Sequence, residues 1–133
     1  MLYSDEKDYI MRMIKEVARV LFSLMLGKKY VQVELEDQNK YEVSGRKLGD
    51  YKAMADRGEI NEAENLLLEE IDYDNSEEVA AALLFYQYVS QKGQDFLKLH
   101  NYSEEEVLEG MQQLARNAGY GEACDILEQI EPQ

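Results

Sequence analysis

The sequence has 133 residues, with 28 acidic against 14 basic side chains and a formal net charge of −14. This length and a hydrophobic content of 45% predict a single domain over residues 1–133 with one core. The acidic excess predicts no nucleic-acid partner, because nucleic-acid binders neutralise phosphates with clustered Lys and Arg. It also disfavours an anionic membrane surface, and no apolar run approaches the roughly 18 residues that a membrane span needs.

The first residues, Met1 to Glu6, contain acidic side chains and lack the basic and apolar segments of a secretory signal. Cys124 is the one cysteine, so no disulfide within the chain is possible. Together these features predict a cytoplasmic protein.

The first predicted element is an amphipathic helix over about residues 5–26, which ends before Gly27. From Val20 to Leu26 the pattern is apolar nearly all the way round. This end of the helix must therefore either lie at the centre of the fold or meet another chain. The second alternative predicts a homodimer through residues 17–26, with these candidate interface residues: Val17, Leu21, Phe22, Leu24 and Met25.

Residues 28–43 contain alternating apolar and polar positions. Val31, Val33 and Leu35 alternate with polar residues, and Tyr41 and Val43 follow a polar interval. The alternation predicts a short β-hairpin. Because an isolated two-stranded hairpin is marginally stable, a helical or poorly ordered segment remains an alternative.

From Arg46 the pattern is helical again as far as Ala55, and residues 57–59 indicate a break. Two further helices are predicted from N-cap signals at Asn61 and Asn75, each followed three residues later by a Glu. The second of these is so apolar that it must be buried on more than one side.

Ser103 and Glu106 form a capping-box pattern that predicts another helix, ending at Gly119. A last short helix is predicted to run to about Ile130. Gly93 is expected near the end of the apolar helix or at a kink in it.

Segments 54–63 and 114–123 are similar at a constant offset of 60 residues, which pairs Ala63 with Ala123. Each copy has a helix, a glycine-containing turn and a second helix, which predicts two α-hairpins stacked side by side. The spacing resembles the tetratricopeptide motif, although its tryptophan is absent. We therefore predict an all-α fold in which tetratricopeptide-like hairpins pack on the long N-terminal helix. The matching residues are Gly58, Ile60, Ala63 and Leu67.

A second resemblance extends from the N-terminus to about Tyr120. It rests on the stretches 8–15, 60–67, 85–86 and 102–110, which resemble a family of small uncharacterised helical proteins of Gram-positive bacteria. The resemblance implies an all-helical cytoplasmic protein. It implies no activity, ligand or catalytic residue.

Residues that carry catalysis or bind metals are sparse. His100 is the one histidine, and its position favours solvation of a helix end. Cys124 lies in a helical apolar pattern and is expected to act as a small hydrophobe. Residues 72–76 resemble the start of a calcium loop, but Glu77 and Leu83 stand where that loop requires Gly and Glu. No catalytic, cofactor-binding or metal site is therefore predicted.

Tyrosine is abundant, with ten residues against three Phe and no Trp. Because tyrosine combines a large ring with a polar tip, it suits both cores and interfaces. Tyr86, Phe96 and Tyr102 are added on this ground to the candidate interface residues.

These observations support two functional hypotheses. The first is a non-enzymatic helical interaction or scaffold module whose acidic surface favours a basic protein partner. The alternative is a regulatory module for a small molecule or cation, or an enzyme, that uses an interhelical pocket lined by Tyr86, His100 and nearby acidic residues.

Overall fold

A computed structural model describes residues 2–26, 39 and 41–130, with side chains for residues 9–25, 39 and 41–126. The described residues form an all-α fold with one very small sheet, as predicted. The elements in chain order are α1 (Leu2–Leu26), β1 (Glu42–Val43), β2 (Arg46–Lys47), α2 (Leu48–Asp56), α3 (Ile60–Glu69), α4 (Ser76–Ser90), α5 (Gln94–Leu99), α6 (Glu104–Asn117) and α7 (Gly121–Ile130).

Helices α1 and α4 form the centre of the core. Helix α4 packs against α1, α2, α6 and β1, and α1 packs also against α6 and α7. Val17, Leu21 and Phe22 are all buried, so the broad apolar end of α1 is covered by the chain's own helices. The predicted central position of this helix is therefore observed.

The two predicted α-hairpins are present as α2–α3 and α6–α7, but they do not stack directly on each other. Both hairpins pack on α4, which contacts α2 of the first hairpin and α6 of the second. Helix α1 packs mainly on the second hairpin. The expectation of side-by-side hairpins is therefore corrected, because the long apolar helix between them needs cover on several faces.

Three helices end in the same backbone motif. At the end of α2 the amides of Gly58 and Glu59 donate to the carbonyls of Ala55 and Met54, with Gly58 at φ 86°. This is a Schellman closure. The ends of α5 and α6 repeat it, with Asn101 at φ 61° and Gly119 at φ 92° in the left-handed position.

The repeated motif also changes the register of the internal repeat. The two hairpin turns correspond at Gly58 and Gly119, an offset of 119 − 58 = 61. Buried Ala63 accordingly corresponds to buried Cys124, one residue beyond the partner that sequence identity suggested. The offset of 60 does relate Ala55 to Ala115, both buried on the first helix of each hairpin.

The helix starts agree with two of the three predicted caps. The side chain of Asn75 accepts from the amides of Glu77 and Glu78, and Ser103 accepts from the amide of Glu106. The prediction for Asn61 was wrong, since α3 begins at Ile60. The three-residue turn after α2 leads directly into α3.

Asn61 instead links two parts of the fold. Its side-chain amide donates to the carbonyl of Asn101 at 3.2 Å and so connects α3 to the turn after α5. Helix α5 was not predicted as a separate element, although His100 was expected at a helix end. Its N-cap residue is Gly93, at φ 94°, which has no side chain to cap the helix.

The described residues contain a short β-hairpin over residues 42–47. Strand β1 pairs antiparallel with β2 through a turn at Ser44 and Gly45, whose φ values are 53° and 78°. The Ser44 hydroxyl donates to the carbonyl of Leu67 at 2.8 Å and fixes the turn to the end of α3. Of the predicted hairpin region 28–43, residues 28–38 and 40 lie outside the described residues.

Candidate functional site

The predicted interface residues do not form one surface. Leu24 is about half exposed, at 49%, and Met25 and Phe96 are partly buried against the core. The other five are core residues of this chain: Val17, Leu21, Phe22, Tyr86 and Tyr102. Burial in the monomer accounts for the apolar pattern at these five positions.

His100 is packed against the turn between α2 and α3. A Cβ atom added to Gly58 would lie 2.2 Å from Cε1 of His100, so the imidazole rests directly on this glycine. The ring centroid also lies 4.6 Å from that of Phe96. His100 is the C-cap residue of α5, in agreement with the predicted helix-end position.

A groove of about 340 Å³ lies between α3 and α6, with Tyr86 of α4 at its floor. Its wall on α6 consists of polar residues spaced three or four positions apart along one helix face. His100 is not among the lining residues, so the structure separates it from Tyr86. The groove is lined by Glu64, Leu68, Tyr73, Tyr86, Glu106, Glu109, Gly110, Gln113, Leu114 and Asn117.

Tyr86 is held by a short hydrogen bond and a close helix approach. Its hydroxyl donates to Oε2 of Glu64 at 2.6 Å. A Cβ at Gly110 would lie 2.5 Å from the Tyr86 ring, so this glycine gives the ring its space against α6. Burial, and then the Glu64 carboxylate, raise the pKa of Tyr86, which keeps the phenol protonated and donating.

Tyr102 lies against the same carboxylates. It is 4% exposed, and its hydroxyl makes no hydrogen bond of normal geometry among the described residues, although the Glu64 carboxylate lies close to it. Burial raises the pKa of Tyr102, with further contributions from Glu64, Glu106 and Glu109.

The groove is acidic. Glu64 is half-buried, Glu106 and Glu109 are exposed, and none of the three pairs with a Lys or Arg in the part of the chain that the structure describes. Glu106 accepts a hydrogen bond from the Ser103 hydroxyl at 3.2 Å. No group of three possible metal-ligating side chains is close enough to hold an ion within the described residues. The described lining of the groove contains carboxylates and no basic side chain, so its field is negative.

A second polar cluster joins α2, α4 and the start of α5. Asp56 accepts from the hydroxyl of Tyr88 at 2.7 Å and pairs with Lys92. The hydrogen bond from Lys92 lowers the pKa of Asp56. Lys92 Nζ lies 4.8 Å from the ring centroid of Tyr88 and 5.5 Å from that of Phe96. The hydrogen bond and the ion pair satisfy the polar groups of Asp56, Tyr88 and Lys92, so this cluster serves to connect helices.

A wider depression of about 670 Å³ lies at the β-hairpin. Its lining mixes both signs of charge and offers no set of groups of one chemistry. The lining residues are Glu42, Ser44, Gly45, Arg46, Lys47 and Asp50. The α3–α6 groove is thus the site where like groups converge.

The sequence predicted an interhelical pocket lined by Tyr86, His100 and nearby acids, and the groove contains Tyr86 and carboxylates but not His100. The particular acids of the groove were not identified, and two of them were noted as helix-cap partners. Glu64 and Glu106 were assigned to helix starts, where acids are common. The spacing of Glu106, Glu109, Gln113 and Asn117 marks one face of α6, but such a face is usually just solvated. Only the position of α3 opposite this face makes it a wall of a groove.

Comparison with known proteins gives a family and no relative of known activity. No helix among the described residues is long and apolar enough to cross a membrane. No curated protein and no solved structure matches the chain significantly. The model of a protein family of unknown function, DUF6483, matches residues 4–119, which is most of the sequence. The chain therefore belongs to the DUF6483 family.

Proposed function

We propose that this chain is a non-enzymatic helical interaction module that binds a basic segment of a partner protein in the α3–α6 groove. The observation that carries the proposal is the set of three carboxylates, Glu64, Glu106 and Glu109, which line one groove without a neutralising Lys or Arg in the described residues. The net charge of −14 adds long-range attraction for a basic partner.

Tyr86 in the groove and Tyr102 near its carboxylates support a binding role over a catalytic one. A tyrosine that acts as a base or nucleophile needs a lowered pKa. Burial and the neighbouring carboxylate raise the pKa of Tyr86, and burial raises that of Tyr102. Both phenols are thus suited to hydrogen bonding and not to proton abstraction.

The alternative of a small-molecule or cation site near His100, regulatory or enzymatic, has less support. The imidazole packs against Gly58 and, at a tilted angle, against Phe96, away from the lining of the groove. A homodimer through residues 17–26 also stays a prediction, with Leu24 as its most exposed apolar side chain among those described. The same proposal includes three further predictions that rest on the sequence patterns given above. They are a cytoplasmic location, tetratricopeptide-like hairpins and an origin in Gram-positive bacteria.

The test uses a photocrosslinking amino acid in the full chain, placed at Gln113 in the groove wall. The matched control carries it at Glu122, an exposed position on α7 outside the groove. Both proteins are irradiated in lysate of the native host, and crosslinked peptides are sequenced by mass spectrometry. We expect a Lys- or Arg-rich segment at position 113 and not at 122, and its loss when Glu64, Glu106 and Glu109 are changed to Gln.

Acidic or neutral segments at position 113, or equal crosslinking at both positions, would overturn the proposal. Turnover of a metabolite by the purified chain, lost on the same three substitutions, would assign the groove to catalysis instead.

A further inference from the structure

We propose that helix α5 is a flap that opens as one unit, with Gly93 and Asn101 as its hinges, while the other helices stay folded. This inference goes beyond the proposed function, since it needs neither the groove nor a basic partner. Opening takes Leu97 out of the core and uncovers the apolar position that it fills. The protein thus has a closed and an open form at this part of the fold.

The flap has a hinge residue at each end. Gly93 precedes α5 at φ 94°, and Asn101 follows the C-cap residue at φ 61°. Glycine and asparagine are the residues that move between positive and negative φ at the lowest cost. Nothing lies within 4 Å of a Cβ built at Gly93, so this hinge has open space around it. Backbone changes at these two positions are enough to displace residues 94–100.

The chain is fixed immediately outside both hinges. On the α4 side, Lys92 pairs with Asp56, and its ammonium group lies 4.8 Å from the ring centroid of Tyr88. On the α6 side, Tyr102 is buried and Ser103 caps the next helix. A movement of α5 therefore ends at Lys92 and Tyr102 and leaves α4 and α6 in place.

Few contacts hold α5 in its closed position. Within the described residues it makes no extended packing contact with another helix or strand. Leu97 is its one fully buried side chain. The other attachments are the contact of His100 with Gly58 and an exposed hydrogen bond from Asn61 to the carbonyl of Asn101. A low density of buried contacts is typical of segments that open locally.

Helix α5 is too short to persist without its anchor. It has six residues and no side-chain N-cap, and isolated helices of this length are unstable in water. When Leu97 leaves the core, the backbone hydrogen bonds of α5 are therefore lost together. These bonds run from the amides of Leu97, His100 and Asn101 to the carbonyls of Gly93, Leu97 and Lys98.

Opening exposes little apolar surface beyond Leu97. Leu99 is already 75% exposed in the closed form, and Phe96 is only partly buried. Helix α6, by contrast, buries a stripe that includes Val107 and Met111. Because the free energy of opening follows the apolar area exposed, α5 opens far more often than α6 unfolds.

The experiment measures native-state hydrogen exchange of the full ¹⁵N-labelled chain at urea concentrations below the unfolding transition. We expect the amides of Leu97, His100 and Asn101 to report one common opening constant. It should exceed that of the buried turns of α6 by about 100-fold or more and depend less on urea, because less surface is exposed.

Three variants test the independence of the flap. Leu97→Ala removes the anchor, so it should raise the opening constant of α5 by at least about tenfold and leave the chain folded. Leu99→Ala is the matched control, with the same substitution at an exposed position of the same helix, and should change it by less than about twofold. Val107→Ala should speed exchange in α6 about tenfold and leave α5 opening unchanged, since α6 is folded in both forms.

Equal opening constants for α5 and α6 in the unmodified chain would show that α5 is a fixed part of the core and overturn the proposal. Unequal constants among the three amides of α5 would indicate fraying in place of one unit. Global unfolding of Leu97→Ala, or a Val107→Ala variant that speeds both helices equally, would also contradict it. None of these results depends on the crosslinking at position 113, so this inference and the proposed function can fail separately.

Discussion

At the scale of single residues, left-handed backbone positions determine how the helices end. Gly58, Asn101 and Gly119 occupy the same place in three Schellman closures. They differ in their surroundings, since Gly58 is covered by the imidazole of His100 and the position of Gly119 is open. Two constraints therefore favour glycine at position 58: the left-handed backbone conformation and the close contact with the His100 ring.

Gly58→Ala is expected to destabilise the protein more than Gly119→Ala. Both substitutions place an L side chain in the left-handed region, at a cost of about 1–2 kcal/mol. Gly58→Ala also drives a Cβ to 2.2 Å from the His100 ring, whereas nothing lies within 4 Å of a Cβ at Gly119. We expect an additional loss of about 1–3 kcal/mol in the free energy of unfolding, measured by urea denaturation.

The same contact makes a rescue experiment possible. In a His100→Ala background the added methyl group meets no imidazole, so Gly58→Ala should cost about as much as Gly119→Ala. If the two glycine variants are equally stable in the wild-type background, the packing of His100 on this turn is not energetically important.

At the scale of elements, the crossing of α4 and α6 depends on Gly110. The periodicity of α6 predicts its apolar stripe, and Val107, Met111 and Leu114 are indeed buried. Gly110 lies beside this stripe, and its missing side chain allows the Tyr86 ring to contact the helix backbone. Tyr86 thereby reaches Glu64 on α3 and connects three helices.

Gly110→Ala is expected to be destabilising although alanine is the better helix former. The gain in helix propensity is about 1 kcal/mol. The new Cβ would lie 2.5 Å from the Tyr86 ring, and overpacking of this kind costs about 1–3 kcal/mol. We expect a net loss of unfolding free energy in urea denaturation.

Gly121→Ala is the matched control. Its Cβ would approach Cγ of Arg116 to 3.1 Å, and the exposed end of this side chain can move away. This variant should be neutral or stabilising. A stabilised Gly110→Ala variant would show that the Tyr86 ring has room to shift and that the approach of α4 to α6 is not tight.

At the scale of the whole molecule, burial of tyrosines links stability to alkaline pH. The pKa values of Tyr86 and Tyr102 are raised by burial and by Glu64. An unfolded tyrosine loses its proton near pH 10, while the folded protein keeps these two protons. Their contribution to stability is complete below pH 10 and is lost as the pH rises above it.

The unfolding free energy should therefore fall above pH 10, with each of the two tyrosines contributing about 1.4 kcal/mol per pH unit. Tyr86→Phe is expected to lose about 1 kcal/mol at pH 8 and to show a shallower decline between pH 10 and 11. Urea denaturation of the wild-type protein and of Tyr86→Phe at each pH measures the two free energies of unfolding. Because lysines titrate equally in the two proteins, parallel pH profiles would contradict the assignment.

Much of the fold was predictable because helix signals are local. Asn75 and Ser103 cap the helices that they were predicted to cap, and Gly58 and Gly119 end theirs. The failures have physical causes. Helix α5 has six residues and no side-chain cap, and the start of α3 follows from the closure of the preceding turn, which overrides the cap signal of Asn61.

The candidate site was beyond the reach of local reasoning. Tyr86, Tyr102 and Glu64 were all visible in the sequence, but their meeting depends on how α3, α4 and α6 pack together. Residues 22 positions apart form the hydrogen bond at its floor. The sequence periodicity of a single helix cannot predict a contact between residues of two different helices.

The sequence by itself determined the all-α class, the helix ends and the acidic character of the protein, because these depend on composition and on neighbours within about four residues. The tertiary structure decided that α1 is central, that α4 separates the two hairpins, and that three carboxylates share one groove. Those features arise from burial of apolar faces between distant segments, where packing and not local propensity selects the arrangement.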